Sequence, residues 1–171
     1  SYVESNIKAK VAIYNTETKK WTEIAGTGRF ANTIVEKDGQ YHLVCTKYAN
    51  HLYRTEISLL TVGDKGKITG CEVVSEINYV KNQLPQSYAD NGDGTFALVV
   101  KTKYEFAVCV SDLSGSISVS YKAPKQGMFI KQISSADGVA YFSWTEKDSM
   151  PRFGQVVLAN GQFNLDTKDF T

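Results

Sequence analysis

Two histidines and three cysteines are the side chains best suited to hold a metal or act as nucleophiles, and their spacing suits neither task. His42 and His51 have no His or Cys partner at ligand spacing, and Cys45, Cys71 and Cys109 are far apart and odd in number. A zinc site needs close ligand pairs and a disulfide framework needs an even set, so neither is expected. The cysteines lie in apolar runs, where they serve as small buried hydrophobes. Gly-x-Ser-x-Gly, a Gly-rich phosphate loop and a metal-binding triad are all absent, so no cofactor and no metal are expected.

Charge narrows the partners. The 171 residues carry 19 Lys+Arg against 18 Asp+Glu, a formal net charge of +1, which offers a nucleic-acid backbone no counter-charge. The basic pairs Lys8/Lys10 and Lys19/Lys20 are small and are diluted by Glu17 and Glu23. Apolar stretches stop at five residues, as in residues 96–100, against roughly twenty for a helical bilayer span, so no membrane insertion is expected. Residues 1–5 lack the basic-then-apolar pattern of a signal peptide, and the compartment stays open. The start at Ser1 fits either removal of an initiator Met or excision from a longer chain.

The elements that position these residues are strands. No window keeps an i, i+3, i+4, i+7 apolar pattern, whereas short apolar runs recur between Gly, Asn and Asp turns. Residues 34–47, 87–103 and 133–146 share one plan: a short apolar strand, an Asp-Gly turn at Asp38, Asp93 or Asp137, then an aromatic that opens a second strand. A second hairpin follows each time, with its turn at residues 63–66, 112–115 or 160–161. The Asp-Gly marks fall 55 and 44 residues apart, and four strands in forty-odd residues is the spacing of a β-propeller blade. The expected fold is all-β, a β-propeller-like array of about 3.5 four-stranded antiparallel blades in one domain over 1–171. Its units are a half blade at 1–25 and blades at 29–75, 84–123 and 128–169.

Residues 10–24, with Tyr14 in the first strand, a polar turn and Trp21-Thr22 in the second, resemble the outer two strands of a kelch-type blade. Kelch's double glycine is missing, since Leu43-Val44-Cys45 runs on into Thr46-Lys47. The Asp-Gly-x-aromatic hairpins also look like blades of five-bladed glycosidases. Two other folds compete. A lipocalin-type β-barrel is suggested by Trp21 and the length, and a pleckstrin-like, peptide-binding domain by residues 10–28. Both need a helix that the pattern does not supply, and about fourteen strands exceed the eight of a lipocalin.

Three and a half blades fall short of the four to eight of a closed ring. Completion by another chain, giving an oligomer, or by more of its own polypeptide is therefore expected. Antiparallel order puts the second-to-third-strand links and the inter-blade links on one face, and the Asp-Gly turns on the other. The first face collects the candidate ligand-binding residues Tyr48, Asn50, His51, Tyr53, Arg54, Tyr104, Glu105, Asp148 and Arg152, together with links at 26–29, 78–86 and 124–127. Aromatic, Arg, Asn and His side chains combine flat apolar area with hydrogen bonds, as a protein or glycan surface requires. Trp144 and Trp21 are assigned to packing. Sugar hydrolysis needs two carboxylates near the axis, about 5 Å or 6.5–9.5 Å apart. The inner strands offer Glu36 and Asp90 beside the Asp-Gly turns, and none in the third. The chain reads as a non-enzymatic binding or scaffold module, with a section of a glycosidase-like propeller enzyme as the alternative.

Overall fold

The computed structural model describes residues 11–24, 29–124, 128–148 and 150–165. The links at 26–28 and 125–127, the pair Lys8/Lys10 and the tail from residue 166 lie outside them. Among the described residues, fourteen strands form one two-stranded and three four-stranded antiparallel sheets, which is the propeller-like array expected from the repeats.

The two-stranded sheet pairs β1 (Val11–Asn15) with β2 (Lys20–Ile24). The first four-stranded sheet follows chain order through β3 (Arg29–Lys37), β4 (Gln40–Ala49), β5 (Leu52–Val62) and β6 (Ile68–Asn78). The second contains β7 (Leu84–Asp90), β8 (Phe96–Lys101), β9 (Phe106–Ser111) and β10 (Ile117–Lys122). The third contains β11 (Phe129–Ala136), β12 (Val139–Thr145), β13 (Pro151–Val157) and β14 (Gln162–Asn164). The first strands of the three sheets are neighbours, with β7 against both β3 and β11, as innermost strands of adjacent blades must be.

Turn chemistry sets the registers. Asp38-Gly39 and Asp137-Gly138 have positive φ at both residues, the two-residue turn whose twist matches the flanking strands. Asn50 and His51 also both have positive φ and form a third such turn between β4 and β5. The loop expected around residues 48–54 is thus a two-residue turn, and Tyr48, Tyr53 and Arg54 stand on strands.

Strand alternation decides what holds the sheets together. In β8, Phe96, Leu98 and Val100 point into a core shared with Val35, Val44, Ile57 and Ile77 of the first sheet. Its alternate residues Ala97 and Val99 point the other way, toward Ile130, Phe142 and Trp144 of the third. A strand buried on both faces must be apolar throughout, which explains the continuous run at 96–100. Each fully buried large side chain contributes about 1.5–3 kcal/mol. Trp144 packs between blades as expected, at ring-centroid distance 5.6 Å from Phe142. Trp21 does not. It is 69% exposed on the outer face of the two-stranded sheet, its ring tilted against that of Tyr14 with centroids 5.0 Å apart, because the opposite face of that sheet, with Val11 and Ile13, makes the core contact.

Inner strands share one irregularity. The pairing of each with its neighbour slips by one residue, at Asn32, Gln86 and Lys131. In the second sheet the slip aims side chains across the blade junction. Gln86 Nε2 donates to the Ile130 carbonyl (2.5 Å) and Ser87 Oγ accepts from the Ile133 N–H (3.0 Å).

Candidate functional site

The links between second and third strands and between blades share one face, as antiparallel order requires. On it stand the side chains that the sequence singled out, tied within their own blades. At the end of the first sheet, Tyr48 and Tyr53 face each other across the β4–β5 hairpin with ring centroids 4.7 Å apart. Asn50 and His51 are exposed, and their positive φ identifies them as the turn itself.

Arg54 has a different role. Its Nη2 lies 2.7 Å from Glu56 Oε1, and Lys47 Nζ lies 3.2 Å from the same oxygen. Glu56 is 1% exposed, so its charge is held by the two cations beside it. Arg54 Nη1 also approaches Glu76 Oε1 at 3.6 Å. The guanidinium therefore serves the sheet before it serves any ligand.

In the second blade, Glu105 accepts an ion pair from Lys122 at 3.5 Å, and its carbonyl accepts from the Thr102 N–H (2.8 Å) to close the 102–105 link. Tyr104, at the tip of that link, is exposed beneath the Lys103 ammonium, 4.8 Å from its ring. In the third blade, Arg152 Nη1 donates to Asp148 Oδ1 (3.0 Å), and the Met150 N–H donates to the same oxygen (3.1 Å). These bonds hold the Asp148 carboxyl at a pKa of about 2, below its ordinary 3.8. Asp148 and Arg152 thus form a clamp around the 148–152 link.

Of a set of apolar tips on this face, the sequence singled out only Tyr104. Val80, Tyr104 and Met150 are 66%, 65% and 62% exposed, more than any other large apolar residue described except Trp21. They stand on the 79–83, 102–105 and 146–150 links, all on one face. On the opposite face the turn tips at 38–39, 63–67, 91–95, 112–116, 137–138 and 158–161 carry no exposed large apolar side chain among the described residues. A count of loop polarity blurs this contrast, since each tip is a single residue amid polar neighbours.

Between the 79–83 and 102–105 links lies a cleft of about 280 Å³, with Asn78, Gln83 and Thr102 at the links and Val100, Phe106 and Cys109 among its walls. Below it, a hydrogen-bonded chain crosses the junction of the first two blades. Asn32 Nδ2 donates to Thr46 Oγ1 (2.9 Å), which donates to Tyr88 OH (3.1 Å). Thr55 Oγ1 then joins Tyr88 OH (2.6 Å) to Tyr79 OH (2.8 Å). Burial pushes both phenols above their ordinary pKa of 10, so they are neutral partners in the chain. Burial likewise raises the Cys109 thiol.

The carboxylates open to sugar chemistry sit at the far end. Glu36 is the second-to-last residue of β3, two before Asp38, and Asp90 Oδ1 accepts from the Gly92 N–H (3.0 Å), capping its own turn. Among the described residues no group of three or more His, Cys, Asp and Glu side chains could hold a metal ion. None of the described helices is long and apolar enough to cross a membrane.

No family model and no curated protein matches the sequence. Among solved structures, the chain is similar to a Mycobacterium tuberculosis puromycin-hydrolyzing peptidase, at 13% identity and TM-score 0.46 over 84% of this chain. It is also similar to a puromycin hydrolase, at 10% identity and TM-score 0.48 over 88% of this chain. A third likeness is the S511A mutant of puromycin hydrolase complexed with PGG, at 11% identity and TM-score 0.49 over 91%. The chain spans 30%, 30% and 31% of the lengths of these three.

Proposed function

We propose that the chain is a non-enzymatic, propeller-type binding module whose link face docks a protein or glycan. One observation carries this: the apolar tips Val80, Tyr104 and Met150 lie on that face, one on each of three links, while the opposite turns are polar. Solvated apolar tips on rigid sheets lose little entropy on docking, which is the economy of a preorganised surface. The tied residues Glu105, Asp148 and Arg152 hold the links in place, and Arg54 holds the first sheet, before they act as contacts.

Photo-crosslinkers placed at residue 104 on the link face and at residue 137 on the turn face test this in an extract of the source organism. A partner crosslinked from 104 and not from 137 is expected. Its affinity should fall at least tenfold in the triple variant Val80→Ser, Tyr104→Ser, Met150→Ser at unchanged circular dichroism. An immobilised glycan library probed with the same two proteins separates a glycan from a polypeptide partner. Equal binding by chain and triple variant would overturn the proposal. Aryl-glycoside hydrolysis by the chain alone should be undetectable, and turnover would favour the enzyme alternative.

A further inference from the structure

Charge is divided unevenly between the two faces, and a net charge of +1 hides the division. On the link face the carboxylates are already paired. Glu56 meets Arg54 and Lys47, Glu76 meets Arg54, Glu105 meets Lys122, and Asp148 meets Arg152. Glu146, on the same link as Asp148, also acts on the charge of Arg152. What remains is cationic: Lys81, Lys101, Lys103 and Lys147 make no ion pair among the described residues. Lys101 and Lys103 lie over the rings of Phe129 and Tyr104, at 4.9 Å and 4.8 Å, contacts that orient an ammonium without neutralising it. The turn face has the opposite sign, with Asp38, Asp64, Asp90, Asp93, Asp112 and Asp137 set against Lys37, Lys65 and Lys67.

The uncompensated lysines coincide with the apolar tips. Val80 and Lys81 are adjacent on the 79–83 link, Lys103 and Tyr104 on the 102–105 link, and Lys147 and Met150 share the 146–150 link. Each link thus presents one exposed apolar side chain near one cation. Between the first two links, the cleft of about 280 Å³ walled by Val100 and Phe106 gives an incoming apolar side chain a seat. An anionic glycan would match the lysines but find no strong hydrogen-bonding group in Val80 or Met150. A polypeptide that mixes acidic and apolar residues matches both.

We infer that the partner of the link face is an acidic polypeptide segment, whose carboxylates pair with Lys81, Lys103 and Lys147 and whose apolar side chains cover Val80, Tyr104 and Met150. This rests on the proposed function and gives its partner a chemistry.

A synthetic random-sequence peptide library on beads, probed with the labelled chain, tests it, with heparin as the anionic glycan probe. The selected peptides should be enriched in Asp or Glu together with Leu, Ile, Phe or Met. A triple variant Lys81→Gln, Lys103→Gln, Lys147→Gln should bind them about tenfold more weakly at unchanged circular dichroism, since three exposed pairs are lost together. The difference should shrink in high salt, which screens the pairs of the native chain. Lys65→Gln with Lys67→Gln on the turn face should leave binding as it is. Selected peptides without acidic enrichment, or bound equally by the Lys81, Lys103, Lys147 variant, would overturn the inference. If the same peptides are nevertheless lost in the serine variant of Val80, Tyr104 and Met150, the link face still binds and the proposed function stands. Heparin bound more tightly than every selected peptide would overturn the inference in favour of an anionic glycan. A library that yields no peptide would overturn it too, while crosslinking from residue 104 decides the proposed function by itself.

Discussion

Glu56 illustrates how a single buried charge reassigns its neighbours. With a nearly inaccessible carboxylate 2.7 Å from Arg54 and 3.2 Å from Lys47, removal of either cation takes one compensating charge from a buried anion. Arg54→Ala is expected to cost about 2–3 kcal/mol in urea unfolding, with Arg54→Lys recovering part of it. Any loss of binding in Arg54→Ala must therefore be read against its melting. Asp148 is the opposite case, an exposed carboxyl held by Arg152. Its side-chain NMR titration should centre at about 2 and return toward 3.8 in Arg152→Ala. Tyr79 and Tyr88 set the alkaline limit. Their folded pKa values lie above the unfolded 10, so below pH 10 both states are protonated and the full stability is present. Above it the unfolded chain ionises first and stability falls, by about 1.4 kcal/mol per pH unit for each tyrosine. Urea midpoints measured from pH 8 to 11 should bend downward near 10, and less so in Tyr88→Phe.

At the level of strands and turns, close approach explains residues that propensity disfavours. Gly154 lies within β13 although glycine weakens a strand, because a Cβ there would stand 2.8 Å from the Trp144 ring and 3.0 Å from that of Phe142. Gly154→Ala should destabilise by about 1–3 kcal/mol, and Trp144→Ala by about 3–5 kcal/mol, in the same unfolding assay. Gly115, with φ of +83°, lets the 112–116 turn of the second blade lie against the β6 backbone, where a Cβ would meet the Glu76 carbonyl at 2.7 Å. Ser75 Oγ donates to the Leu113 carbonyl (2.6 Å) beside it. These turns fasten one blade to the previous one, as Gln86 and Ser87 do at the inner edge.

For the molecule as a whole, the second blade contributes to two cores at once, so neither neighbour can come away without exposing part of it. Unfolding is expected to be a single transition. Fluorescence of Trp144 in a Trp21→Phe chain, which reports the second junction, should coincide with far-UV circular dichroism in urea; a fluorescence midpoint at lower urea would show that the third blade melts separately. Much of this architecture was legible in the sequence. Alternation with period two, recurrent Asp-Gly turns and the run at 96–100 identify strands, hairpins and a doubly buried element, because these depend on local backbone preference and on which side chains avoid water. The expectation of Trp21 as a packing residue failed because it depends on what covers a face, and a strand pattern does not say which of its faces is covered. The ion pairs of Arg54 with Glu56 and Glu76 went unforeseen for a like reason, since they join separate strands. The loop expected at 48–54 gave way to two left-handed residues, which Asn50 tolerates readily and His51 accepts less often. Local pattern specified the fold class, the order of the elements and the face that the links share, whereas the salt-bridged Glu56 and the exposure of Val80, Tyr104 and Met150 on that face emerged only from packing, since each depends on neighbours from separate strands or blades whose separation along the chain carries no record of their meeting.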